Sequence, residues 1–189
     1  MENLDSKDEL YFQWWCNDLI EAGILLQVNK SDTIQLFNGL YHIYNEVKEL
    51  KTKTKETVKK QTLIDVTSYT PDFDLYFDIN KLNKFVDVLC DSNVKFDNPF
   101  IGDVCEDSGN IKVIIEIKPV FDAHGMTRLF KINQKWTYQL TGKFVNLIEY
   151  SKLFKETFTP TRFLLTDSGK QQRMINKWKV RTLQEYLEC

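Results

Sequence analysis

Apolar and polar residues alternate along several short stretches of the chain, which is the pattern of half-buried β-strands. The clearest is IKVIIEIKP, residues 111–119. Its odd-numbered residues up to Ile117 are all Ile or Val, whereas its even-numbered residues include Glu116 and two lysines. Pro119 cannot donate a hydrogen bond to a neighbouring strand, so regular pairing is expected to loosen there. The pattern therefore predicts a buried strand whose charged end borders a cleft.

A second alternating stretch is YTPDFDLYF, residues 69–77. After a turn at its Thr-Pro pair, Phe73, Leu75 and Phe77 would form an apolar face, while Asp72 and Asp74 would lie on the opposite face. The stretch predicts a strand that presents carboxylates on one side.

Helical spacing is clearest in residues 6–22, SKDELYFQWWCNDLIEA. Ser6 and Glu9 match a capping box at its start, and Gly23 is a natural stop at its end. A second helix is predicted over residues 124–140, with Met126, Leu129, Phe130 and either Trp136 or Leu140 facing inward. A short helix is also predicted in the RTLQEYL sequence near the C-terminus.

The remaining segments carry weaker patterns. Strands are predicted at 24–28, 143–150 and 158–167, helical spacing appears in 78–92, and 36–47 is ambiguous. The lysine-rich residues 48–61 are either a mobile loop or an exposed β-ribbon. Helices and strands in this order predict an α/β or α+β fold, with a central mixed sheet flanked by helices in a single domain spanning 1–189.

Composition limits the function classes. A hydrophobic fraction of 42% is enough for a real core. No two of the four cysteines have CxxC spacing, so a zinc ribbon or redox motif is not indicated. The acidic start of the chain lacks the apolar stretch of a signal peptide, and the apolar runs are too short to cross a bilayer. We expect a cytoplasmic protein with no membrane partner.

The small net charge of −2 hides an uneven distribution. Residues 112–189 hold 14 Lys and Arg against seven Asp and Glu, whereas residues 1–111 hold 11 against 20. The C-terminal segment 170–189 is itself basic. A basic half can face a polyanion while an acidic cluster holds cations, although an unevenly charged solvated surface gives the same count.

Two carboxylates on neighbouring strands would suit a hard cation. Mg²⁺ prefers carboxylate oxygens and is often held by only one or two of them together with phosphate. Asp72 and Glu116 could supply these oxygens, and Lys118 beside them could orient a water or stabilise charge on a phosphate.

This combination of Pro71-Asp72 with Glu116-Ile117-Lys118 at the end of an apolar strand resembles the PD-(D/E)XK nuclease superfamily. The resemblance implies a restriction-endonuclease-like core and cleavage of DNA, or sometimes RNA, with Mg²⁺ or Mn²⁺. It implies that Asp72, Glu116 and the Ile117 carbonyl bind the metal and that Lys118 assists the attacking water.

The resemblance also suggests residues outside the two motifs. Many members carry a glutamate on the first helix, which Glu9 matches, with Glu21 a weaker candidate; Asp74 is an alternative metal ligand. Gln134 and Lys135 lie where related nucleases often place a helix residue that faces the site.

Each of these residues also has a purely structural interpretation. Glu116 and Lys118 could form a surface salt bridge, Asp72 could be a turn residue after proline, and Glu9 could only complete a helix cap.

The spacing departs from the usual pattern of the superfamily. Asp72 and Glu116 are 44 residues apart, where a short hairpin is common, so residues 78–110 are interpreted as an insertion. The opening helix, the YTPDF and EIKP motifs, and the later NQKW and LFKETFTPTRFLL segments are also similar to small endonuclease-like proteins of tailed phages.

The expected function is a phage-encoded, metal-dependent DNA endonuclease that leaves 5′-phosphate and 3′-hydroxyl ends. One alternative is a resolvase of branched DNA, similar to archaeal Holliday-junction resolvases, that acts as a homodimer. A second is a non-catalytic nucleic-acid-binding, packaging or inhibitor protein with a phage or host protein partner. A transposase subunit would need a partner recombinase.

Overall fold

The computed structural model describes residues 6–81, 84–89, 96–105, 109–118, 126–166, 168–169, 171–175 and 177–188. The chain divides into two compact units. The core unit comprises Met1–Asp32 with Pro71–Cys189, and the ribbon unit comprises Thr33–Thr70.

The helices and strands follow one another in the order α1 Lys7–Glu21, β1 Leu25–Lys30, β2 Ile34–Phe37, β3 Leu40–Leu50, β4 Lys53–Ile64, β5 Thr67–Tyr69, β6 Phe73–Phe77, β7 Val86–Val88, β8 Phe100–Val104, β9 Ile111–Ile117, α2 Met126–Thr141, β10 Val145–Ile148, α3 Tyr150–Glu156 and α4 Leu183–Glu188. Short 3₁₀ turns lie at Ile79–Lys81 and Thr161–Leu164.

A six-stranded mixed sheet forms the centre of the core unit, which confirms the predicted fold class. Its order is β1-β6-β9-β8-β7, and β10 also pairs with β9. The pairings β1–β6, β6–β9 and β8–β9 are antiparallel, whereas β7–β8 and β9–β10 are parallel. Strand β9 is central because β8 pairs with its start and β10 with its end.

The buried Asn146 joins the three strands where β8 and β10 diverge. Its side chain accepts a hydrogen bond from Ile101 N at 2.9 Å and donates to the carbonyls of Ile101 at 2.8 Å and Ile114 at 3.1 Å. These bonds satisfy backbone groups that would otherwise be buried without partners.

The predicted alternation on β9 and β6 is confirmed by the packing. The apolar face of the sheet packs into one core with α1, whose Phe12 lies 5.7 Å from Phe73 between ring centroids. Trp15 is fully buried in this core, and its indole N–H donates to Thr157 Oγ1 at 3.1 Å. The sheet is thereby fixed against α1 on the face opposite to its charged residues.

Helix α1 also begins and ends where the sequence predicts. Ser6 is the N-cap, and its hydroxyl accepts a hydrogen bond from the backbone N–H of Glu9 at 3.1 Å. Gly23 follows the helix with φ of +65°, a conformation that costs other residues free energy.

Residues 78–110 differ from the prediction in two ways. The helical spacing noted in 78–92 is wrong for the described residues, which form a 3₁₀ turn and strand β7. Phe85 directly precedes β7 and Val86 begins it, and both side chains are buried in the core. The segment interpreted as an insertion contributes β7 and β8 to the central sheet, and a different segment, Thr33–Thr70, forms the separate unit.

Two other predictions are corrected near the C-terminal half. Residues 158–167 do not form a strand where they are described but contain a 3₁₀ turn, preceded by the unpredicted helix α3. On α2 the inward prediction holds for Phe130 but is wrong for Leu129, Trp136 and Leu140, which are exposed. Its buried side includes Thr137, and Gln134 bonds to β10, so polar groups lie where apolar spacing predicts a core.

The ribbon unit consists of two antiparallel pairs, β2 with β5 and β3 with β4. The ambiguous residues 36–47 therefore lie mostly in strands, and the exposed β-ribbon is the correct interpretation of the lysine-rich segment. Strand β5 ends just before the predicted Thr-Pro turn, and β6 begins just after it.

Among the described residues, Cys16 and Cys105 are free thiols, whereas Cys90 and Cys189 lie outside them. Burial raises the pKa of Cys16 well above its ordinary value, so this thiol is a packing group rather than a reactive one. None of the helices described has both the length and the apolar character needed to cross a membrane.

Candidate functional site at the end of the central strand

Asp72 and Glu116 lie close together at the end of two adjacent strands. Strand β6 pairs antiparallel with β9, with Phe73 opposite Ile115. Asp72 directly precedes β6, and its backbone N–H donates to Ile115 O at 2.9 Å, which holds it against β9. The expected adjacency of the two strands is thus confirmed, although Asp72 and Glu116 are 44 positions apart in the sequence.

The carboxylate of Asp72 is held against the end of β9 but remains electrostatically strained. Its Oδ2 accepts a hydrogen bond from the Ile117 backbone N–H at 2.6 Å. The pKa of Asp72 is raised from 3.8 to about 6, chiefly by burial and also by the negative charges of Glu116 and Glu9, while the Ile117 hydrogen bond and the Lys118 charge act to lower it. The charges of Glu116, Glu9 and Lys118 therefore all act on Asp72.

Glu116 and Lys118 form an ion pair on the same face of β9. Lys118 Nζ lies 2.5 Å from Glu116 Oε1. The salt bridge of the structural interpretation is therefore present, but Glu116 is only 6% exposed and does not face the surface. A buried carboxylate needs such a partner, because an unpaired charge is costly to remove from water.

Glu9 combines a capping contact with a second ion pair. Its carboxylate accepts a hydrogen bond from Ser6 Oγ at 3.1 Å and lies 2.8 Å from Lys30 Nζ. Lys30 also lies over the Phe73 ring, 4.5 Å from its centroid. Both Glu9 interpretations, cap and site neighbour, have a structural basis, because its charge also acts on Asp72.

Asp74, the alternative ligand, has its own partners. Lys112 Nζ lies 2.5 Å from its Oδ2, and Ser31 Oγ donates to its Oδ1 at 2.6 Å. Burial acts to lower the pKa of Lys112, but the hydrogen bond and charge of Asp74 outweigh this effect and raise it. Asp74 is thus neutralised within the protein, whereas Asp72 lies beside further negative charge.

Among the described residues, the other candidates form no hydrogen bond or ion pair with Asp72, Glu116 or Lys118. Glu21 ends α1, about 18 Å along the helix from Glu9. Gln134 Nε2 donates to Val145 O at 2.6 Å, which ties α2 to β10. Lys135 is exposed on α2. Nothing in these contacts brings the three to the end of β9.

Sequence reasoning did not single out Lys30 and Ser31 as part of the site. Lys112 could be placed from the sequence, because the alternation puts it on the same face of β9 as Glu116. Lys30 ends β1 and Ser31 follows it, and only the antiparallel pairing of β1 with β6, with Lys30 opposite Phe73, brings them beside the aspartates. No local signal in the chain indicates this pairing.

The oxygen ligands present fit a hard divalent cation. Two carboxylates and the Ile117 carbonyl are the ligand types that Mg²⁺ accepts, with waters and phosphate completing its coordination. A cation would also relieve the repulsion that raises the pKa of Asp72. In the described part of the chain, no three His, Cys, Asp or Glu side chains converge into a ready-made metal cluster. The fit therefore rests on a two-carboxylate site.

Comparisons with protein-family models, with curated proteins and with solved structures each returned no match.

Proposed function

We propose that this protein is a metal-dependent endonuclease that hydrolyses phosphodiester bonds of DNA. The observation that carries the proposal is the position of the Asp72 carboxylate, which accepts from the Ile117 N–H at the end of the central strand, beside the ion pair of Glu116 and Lys118. Two acids and one lysine in this arrangement match what phosphodiester hydrolysis needs, namely cation ligands and a positive group beside them.

The residues divide the work by their chemistry. Asp72, Glu116 and the Ile117 carbonyl would hold Mg²⁺ or Mn²⁺. When bound, the ion would lower the pKa of a water and neutralise charge on the phosphate. Lys118 would orient the attacking water or hold a phosphate oxygen, which requires it to exchange part of its contact with Glu116 for substrate. Glu9, with Lys30, would fix the negative field at Asp72.

The energetics argue against a purely packing role for the pair. Like charges close together on adjacent strands destabilise a sheet, and burial raises the cost. The neighbouring Asp74 has Lys112 and Ser31 to offset its charge, whereas Asp72 has a raised pKa. Retaining an acid at Asp72 is explained by a cation that binds there.

The main alternative is a non-catalytic nucleic-acid-binding or inhibitor protein on the same fold. It is favoured by the ion pairs that already engage Glu116 and Glu9 and by the lack of a three-ligand cluster among the described residues. A branched-DNA resolvase acting as a homodimer would use the same site on a different substrate. A phage origin and action in the host cytoplasm belong to the proposal.

A cleavage panel tests the proposal. Linear duplex, single strand, flap and four-way junction DNA, with an RNA duplex for comparison, would be incubated with Mg²⁺, Mn²⁺ or EDTA. Wild type would be compared with Glu116→Ala and Lys118→Ala. Asp74→Asn is the matched control, because it alters a buried acid with a lysine partner on the same face of the sheet.

We expect wild type to cut DNA only when a metal is present. Glu116→Ala and Lys118→Ala should each reduce the cutting rate by at least about a hundredfold, whereas Asp74→Asn should largely retain it. A preference for four-way junctions would identify a resolvase. Absence of cutting on every substrate by a folded wild-type protein would contradict the enzyme and favour the binding protein.

A further inference from the structure

The hairpin of β3 and β4 is a long, exposed two-stranded ribbon. Its strands pair without interruption from Tyr41 opposite Thr62 to Leu50 opposite Lys53. At the rise of a β-strand, this paired length is roughly 33 Å. Most of its residues are exposed within the ribbon unit. A ribbon of this kind has two faces available for binding.

The register separates charge from apolar side chains. One face, which we call the basic face, carries Lys48, Lys53, Lys55 and Lys59, together with the stacked rings of His42 and Tyr44. The opposite face, which we call the apolar face, carries the exposed Ile43, Val47 and Val58. The two faces therefore suit different partners.

The basic face carries more positive charge than its one glutamate, Glu46, can offset. Lys48 lies directly opposite Lys55, and like charges in this position destabilise a strand pair. Glu46 contacts Lys48 at 3.3 Å and Lys59 at 3.7 Å. Within the described part of the chain, Lys53 and Lys55 form no ion pair with an acid. Residues 48–60 hold six lysines and only two glutamates.

We propose that the basic face of this ribbon binds the phosphate backbone of duplex DNA, with the ribbon lying in the major groove. The groove is about 12 Å wide and admits a two-stranded β-ribbon. The paired length of the ribbon matches about one helical turn of duplex. Alternate residues such as Lys53 and Lys55 stand about 7 Å apart, so each can meet a different phosphate.

The choice of DNA as the polyanion rests on the proposed endonuclease function. The ribbon would supply affinity without base selectivity, because lysine contacts to phosphate position a protein but carry no sequence information. The competing occupant is a protein surface or a second copy of this chain, which would cover the apolar face instead. The two faces can be altered separately, so the occupants are distinguishable.

Binding of full-length protein to a labelled duplex of about three helical turns would be measured in EDTA, which prevents metal-dependent cleavage of the duplex during the measurement. The basic-face variant is Lys48→Gln, Lys53→Gln and Lys55→Gln combined. The apolar-face variant is Val47→Thr with Val58→Thr, which keeps the β-branched shape. A charge-matched control is Lys7→Gln, Arg128→Gln and Lys131→Gln combined, three exposed cations outside the ribbon.

We expect the basic-face variant to bind roughly ten- to a hundredfold more weakly and to lower the slope of log affinity against log salt by about three. The apolar-face variant should bind as wild type, and the charge-matched control should lose much less than the basic-face variant. Equal losses in the basic-face variant and the control, or loss only in the apolar-face variant, would overturn the proposal.

The cleavage panel separates this proposal from the endonuclease itself. If duplex binding depends on the basic face but the protein cuts no substrate, the ribbon proposal is supported and the endonuclease proposal is contradicted. If the basic-face variant cuts and binds as wild type does, the endonuclease proposal is supported and the ribbon proposal is contradicted.

Discussion

At Asp72 a single carboxylate meets opposing demands. The Ile117 N–H favours its charged form, while burial and the charges of Glu116 and Glu9 favour the neutral form and win. The ionised Asp72 carboxylate therefore destabilises the folded protein when no cation is bound. Such strain is common at functional sites, since a site built to bind charge cannot also neutralise itself.

Asp72→Asn should therefore stabilise the metal-free protein. The pKa of Asp72 rises from 3.8 to about 6 on folding, so the stability linked to its protonation is complete below pH 3.8 and is lost as pH rises through about 6. In EDTA, the variant should gain roughly 2–3 kcal/mol in free energy of unfolding relative to wild type between about pH 4 and about pH 8. Urea unfolding at several pH values measures this.

The same pair of proteins tests metal binding. Mg²⁺ should raise the melting temperature of wild type and have little effect on Asp72→Asn. A stability difference that does not vary with pH would contradict the strained carboxylate.

The two roles of Glu9 can be separated by a pair of substitutions. Ser6→Ala removes the cap hydroxyl and should lower the free energy of unfolding by about 1 kcal/mol while largely retaining cleavage. Glu9→Gln leaves the cap bond to its backbone N–H but removes the charge beside Asp72, so it should slow metal-dependent cleavage at least about tenfold. Urea unfolding and cleavage rates would be measured on both. Equal effects of the two variants on both measurements would mean that Glu9 acts only as a cap.

At the scale of elements, strand β8 pairs with the start of β9 and extends the sheet towards β7. It places Gly102 where a side chain does not fit: an added Cβ would lie 2.5 Å from Ile111 Cγ2 and 2.9 Å from Val113 Cγ2. The close approach lets β8 pair with both β7 and β9, and Asn146 bonds to Ile101 next to it. An acidic, turn-rich stretch is thereby made part of the sheet.

Gly102→Ala should destabilise the protein because the new methyl group overpacks this contact, by about 1–3 kcal/mol. The control is Val104→Ala on the same strand, at a side chain that is 50% exposed, which should cost less than about 1 kcal/mol. Chemical denaturation measures both. A neutral Gly102→Ala would mean that β8 does not lie against β9.

At the scale of the whole molecule, the ribbon unit is inserted between two strands that pair directly. Strands β1 and β6 are antiparallel, with Lys30 opposite Phe73, so the ends of the core unit on either side of Thr33–Thr70 meet as the two arms of a hairpin. The core unit also contains the whole candidate site. Because β1 and β6 pair directly, we expect the core unit to fold without the inserted segment.

Replacing Thr33–Thr70 with Gly-Ser should therefore leave a cooperatively folding protein. The new connection is a short loop between Lys30 and Phe73, a length that hairpins tolerate. We expect Mg²⁺ to stabilise both this variant and wild type, while duplex affinity and its salt dependence fall in the variant. Circular dichroism, thermal melts and binding titrations check this, and failure to fold would contradict the independence of the core unit.

Much of the fold could be predicted because its signals are local. The cap at Ser6, the stop at Gly23 and the alternation around Glu116 and Asp72 each depend on neighbouring residues only. The prediction was wrong where tertiary contacts outweigh local pattern. The apolar spacing of Leu129, Trp136 and Leu140 lies on the exposed side of α2, while polar groups of the same helix bond to β10 and to its own backbone.

The sequence alone determined which residues could carry chemistry, because the alternation assigns Glu116 and Lys118 to one face and the acids of residues 72–74 to another strand. Only the tertiary structure decided which acids meet. Pairing of β6 with β9 brings Asp72 close to Glu116, which is 44 positions away in the sequence, and pairing of β1 with β6 brings Lys30 to the ion pair with Glu9. Strand pairing between distant segments depends on the burial of the whole sheet, and no local pattern specifies it.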